Sequence, residues 1–88
     1  MDFSDLFGRI REVLPDDIDD ATVELVERTA AAAAILVARA AEGQDVERDL
    51  QHVKAQAANL SAEYLSTVMD KVKDWVLDSI GKVAAGLL

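Results

Sequence analysis

The chain has no cysteine, one proline, one histidine, four glycines and only 5% aromatic residues over 88 positions. Each shortage excludes something. Without cysteine there is no disulfide, thiolate metal site or thiol nucleophile. One histidine cannot supply the paired imidazoles of the common zinc sites. The few glycines leave no phosphate-cradling loop and no nucleophile elbow, so the serines and threonines have no catalytic setting. Positive charge is also scarce: 9 Lys+Arg stand against 17 Asp+Glu, a net charge of −8. A nucleic-acid backbone or an anionic membrane is therefore not expected as the main partner.

Long hydrophobic runs are missing too. Residues 29–38, TAAAAAILVA, form the longest largely apolar stretch, about half of the roughly 20 residues that span a bilayer. Nothing at the start of the sequence reads as a signal peptide. The expected location is the cytoplasm, or a particle assembled there.

What is present is helical periodicity, in a single expected domain over 1–88, all-α. In the first segment, about 2–14, Phe3, Leu6, Phe7, Ile10, Val13 and Leu14 recur at steps of three and four, placing them on one stripe. Pro15 then stops the helix, because its ring clashes with the preceding turn. A second helix is expected over about 17–42. Asp16, Asp17, Asp19 and Asp20 precede or open it, suited to capping free amides and to opposing the positive end of the helix dipole. Between Ala30 and Ala41 only Arg39 is charged. A helix apolar nearly all round is buried on more than one side.

Gly43 suits a left-handed cap and Asp45 an N-cap. So short a connection makes the neighbouring helices antiparallel. Beyond it no Pro or Gly occurs until Gly81, so a third helix is expected to run over about 46–85, roughly 60 Å long at 1.5 Å per residue. Its stripe of Val46, Leu50, Val53, Ala57, Leu60 and Tyr64 alternates steps of four and three, the heptad pattern. From Val68 through Val72, Val76, Ile80, Val83 and Leu87 the steps become four, four, four, three and four, a stutter that turns the stripe. The expected fold is an elongated, coiled-coil-like antiparallel hairpin, with helices 1 and 2, broken at Pro15, lying along helix 3.

Such a rod cannot enclose its own apolar belt. Sister copies are expected to cover it, giving an oligomeric helix bundle with Leu25, Val26, Ala30, Ala33, Ile35, Leu36, Val37, Trp75, Val76, Ile80 and Val83 at the interface. The expected function is a non-enzymatic structural or assembly protein that binds itself and other subunits, as linkers and scaffolds of small viral or bacterial complexes do. The viral setting rests on size and simplicity, not on any residue. The alternative is an acidic module or inhibitor that captures a basic protein through Asp16, Asp17, Asp19 and Asp20. No catalytic residue, metal or cofactor is expected. His52 and Asp49 have the spacing of a metal pair, but an exposed histidine beside a salt-bridged aspartate explains them better. The aspartate run lacks the central glycine and closing glutamate of a calcium loop. Asp70, Asp74 and Asp78 share a solvated stripe. Trp75 lies on an amphipathic helix whose polar face has no net positive charge, so an interfacial membrane role is not expected.

Overall fold

The computed structural model describes residues 4–84, with side chains described through Lys82. Four helices are present and no strand among the described residues: α1 Ser4–Val13, α2 Asp20–Ala41, α3 Glu47–Ala57 and α4 Ala62–Ala84. The fold is all-α. The expected helix ends at 2 and 85, the Val83 side chain and Leu87 lie outside the described residues.

Local chemistry sets most boundaries. The Asp19 carboxylate is the N-cap of α2 and accepts the Thr22 amide at 3.2 Å, so the helix starts three residues later than the aspartate run alone suggests. Gly43 has φ +76°. Its amide reaches Ala40 O at 3.0 Å and the Gln44 amide reaches Arg39 O at 3.1 Å, the paired bonds of a Schellman ending. The Asp45 carboxylate accepts the Glu47 amide at 3.0 Å. It thus caps α3 from one residue before the N-cap, Val46.

The long third helix is the main correction. It is two helices, α3 and α4, separated by a corner at 58–61. The overall shape is likewise not a rod: the extents are 39 × 23 × 17 Å and the radius of gyration is 12.8 Å. The reason lies in packing. A straight helix from Glu47 to Ala84 would be about 55 Å long and would carry Val68, Val72 and Trp75 away from the rest of the chain. The corner instead returns α4 to pack on α1 and α2. There Leu6, Ile10 and Leu14 of the first segment join Val68, Val72 and Trp75 in one buried cluster. Helix α1 also packs on α2, so α1 and α2 do not form one strut lying along a third helix.

A second correction concerns the apolar belt. Val26, Ala30, Ala32, Ala33, Leu36 and Val37 are buried by the chain's own helices. Thr29 is buried with them, its hydroxyl donating to Leu25 O at 2.8 Å. Four helices enclose what an extended hairpin could not, because the bend brings both α3 and α4 onto α2. Each fully buried Val, Leu or Ile contributes about 1.5–3 kcal/mol.

Candidate functional site

A concavity lies between α3 and α4. The two helices touch each other little, although both pack on α2. Between them runs an open groove of about 460 Å³. Leu36 of α2 contributes to its lining, with Leu50 and Val53 from α3 and Met69, Val72, Val76 and Leu77 from α4. Lys54, Asp70 and Lys73 supply its charges. A smaller concavity of about 230 Å³ shares Lys54 and Met69 and extends the groove to Ala57, Ala58 and Leu65 beside the corner.

Local sequence explains this surface. Val53, Val72 and Leu36 are buried and belong to the core. Leu50 is 40% exposed and Leu77 64% exposed. Leu77 follows Val76 and precedes Asp78, one step off the main stripe, so it points away from the core while its neighbour is half-buried. A groove with apolar walls and a few charged groups can take apolar side chains presented by a helix.

The residues expected at an oligomer interface separate into three groups. Val26, Ala30, Ala33, Leu36, Val37 and Trp75 are buried within the single chain. Leu25, Val76 and Ile80 are half-buried against the core. Ile35 is open to solvent, at 52% exposure. Of these, only Leu36 and Val76 line the groove. The periodic stripe could not identify Leu77, Met69 or the exposure of Leu50, because they depend on how far α3 and α4 splay. A large apolar residue off the stripe was the one available signal, and Leu77 carries it.

The aspartates before α2 are all exposed. Hydrogen bonding from Thr22 holds the Asp19 carboxyl below its ordinary 3.8. Partial burial, followed by the charges of Glu63, Asp17 and Asp19, pushes the Tyr64 phenol above its ordinary 10.0. Acids from two chain segments thus act on the charge state of one tyrosine.

Asp49 is engaged elsewhere. Its carboxylate meets Arg39 Nε at 3.4 Å, joining α3 to the end of α2, while His52 is exposed. Arg39 also donates to Gln44 Oε1 at 3.2 Å, so these charges brace the Gly43 turn. Asp78 pairs with Lys82 at 3.2 Å, and Asp70 and Asp74 are exposed. Among the described residues no three His, Asp or Glu side chains are grouped to hold a metal ion, and no helix is long and apolar enough to cross a membrane. In comparisons with known proteins, no family model, no curated protein and no solved structure matches this chain.

Proposed function

We propose that this protein is a non-enzymatic helical assembly module that binds other copies of itself through helix packing along the groove between α3 and α4. One observation carries the reading: an open apolar groove runs between α3 and α4, and two of the four large apolar side chains exposed among the described residues, Leu50 and Leu77, stand along it, the other two being the scattered Val13 and Ile35. Covering an exposed leucine contributes about 1.5–3 kcal/mol. Lysine and aspartate occur together on the lining, so two copies related by a two-fold axis can set Lys54 or Lys73 of one against Asp70 of the other. The hairpin-like packing of α2 and α3 about the Gly43 turn provides a firm backing for that surface.

The experiment is molar mass by light scattering across protein concentration, in low salt and in about 1 M sodium chloride, where screening leaves a Debye length of only about 3 Å. Apolar self-association gives a mass above one chain that persists in high salt, and Leu77→Lys lowers it. A mass of one chain at every concentration refutes the reading.

A second reading has its own support. Asp17, Asp19 and Glu63 are exposed and their charges act together at Tyr64, which suits them to a basic protein partner. Its mark would be binding to a lysine-rich peptide that fades as salt rises, lost in the Asp17→Asn, Asp19→Asn, Glu63→Gln variant.

A further inference from the structure

The two turns that flank α3 differ in construction. The Gly43 turn is committed: it has a left-handed glycine, both Schellman bonds and an aspartate cap. The corner at 58–61 has none of these. Its residues are Ala58, Asn59, Leu60 and Ser61, with no glycine, no proline and no positive φ. Ala58 keeps right-handed helical geometry, at φ −62° and ψ −17°. The backbone leaves the helix through short-range bonds only: Asn59 N to Gln56 O at 3.4 Å and Leu60 N to Ala57 O at 2.9 Å, after which Tyr64 and Leu65 amides begin again on Ser61 O at 3.0 Å. None of these bonds ties the Ala62 or Glu63 amide back to α3.

Three observations converge here. The segment is chemically able to be helical. The apolar stripe from Val46 through Leu60 and Tyr64 to Val68 passes through the corner without interruption. And α3 and α4, separated by the groove, gain little from each other, while α4 gains from α1 and α2. The corner itself gives one side chain to the core, Leu60 at 6% exposure; beyond that, what holds it bent is the packing of α4 on α1 and α2. A second copy can provide the same α1 and α2 surface.

We propose that the 58–61 corner is a hinge that straightens, joining α3 and α4 into one helix whose α4 half docks on α1 and α2 of a second copy, with that copy's α4 returning the exchange. The contacts of α4 with α1 and α2 are then remade between chains, and the corner amides recover i to i−4 partners. Straightening exchanges like for like where α4 meets α1 and α2, re-seats Leu60 and adds helix at the hinge. The identity of the partner rests on the self-association reading above, but the groove plays no part in the exchange.

The test uses the full chain carrying Leu77→Lys, so that association along the groove does not contribute. Spin labels are placed at Arg48→Cys and Lys82→Cys, two exposed sites in a chain with no cysteine of its own. Labelled chains are diluted into unlabelled ones, so that the electron–electron distance is measured within one chain. In a straight helix the two sites are about 51 Å apart, whereas the closed molecule is only 39 Å along its longest axis. Replacing Asn59 and Ser61 by alanine, the strongest helix former, is expected to raise the dimer fraction several-fold, with an intrachain distance near that longer value. Ala62→Pro suits the first turn of a separate α4 but breaks a continuous helix; it is expected to abolish the dimer and keep the distance below the closed limit. Dimers with only the short distance, or dimers untouched by Ala62→Pro, overturn the exchange. So does a chain that stays monomeric with Asn59→Ala and Ser61→Ala. Self-association along the groove is judged separately, by the mass of the chain that retains Leu77.

Discussion

At the scale of single residues, two titrating groups make the start of α2 testable. The Thr22 amide stabilises the charged form of Asp19, so the folded state binds its proton less readily than the unfolded state. The stabilisation is therefore complete above the ordinary carboxylate value of 3.8 and is lost as pH falls through the lowered folded value. Asp19→Asn keeps an acceptor for the amide but does not titrate. Urea unfolding at neutral and acidic pH is expected to show a smaller acid loss for this variant than for the parent chain. Tyr64 behaves in the opposite sense. Its raised value means that its contribution is complete below 10.0 and lost as pH rises through the folded value. Ultraviolet titration of the phenol is expected to give a midpoint above that of free tyrosine, and Asp17→Asn is expected to lower it. The aspartate run could be read from sequence as a capping signal. Which member caps, and that Glu63 joins the group from another helix, could not, since four adjacent acids offer equivalent side chains and only the chain path selects among them.

Among the elements, α2 and its C-terminal turn were the most legible. A glycine followed by a capping aspartate is a local signal, and local backbone geometry answers it directly. Gly43 has open space where a Cβ would stand, so Gly43→Ala acts through its positive φ alone. The left-handed region costs a non-glycine residue about 1–2 kcal/mol; a loss of that size is expected in chemical denaturation, with no change in helix content by circular dichroism. The α3–α4 corner was illegible for the converse reason. Asn59 and Ser61 are ordinary members of helices, and the stripe continues through them. No local term demands a bend there, and the gain that selects it comes from Trp75, Val72 and Val68 meeting α1, contacts far apart in the chain.

For the whole molecule, the balance between self-burial and partner burial is the deciding quantity, and two leucines separate the two. Leu36 is 3% exposed beneath the groove, whereas Leu77 is 64% exposed along it. Leu36→Asp places an unpaired charge in the core and is expected to cost about 4 kcal/mol or more, a large part of the total stability of so small a domain. Thermal unfolding followed by circular dichroism is expected to show a collapse of the midpoint. Leu77→Lys is expected to leave that midpoint within a few degrees while lowering the solution mass. From sequence alone, Leu36 stood in the shared face, because a straight rod of three helices leaves the alanine-rich belt bare. The sequence by itself determined that the protein is helical, where α1 ends, and how the Gly43 turn is made, since periodicity, ring geometry and capping act over a few residues. Only the tertiary structure decided that the last long helical pattern folds back as two helices and that the belt is enclosed within one chain. That outcome depends on summed burial between distant segments, a quantity that no stretch of the sequence contains in isolation.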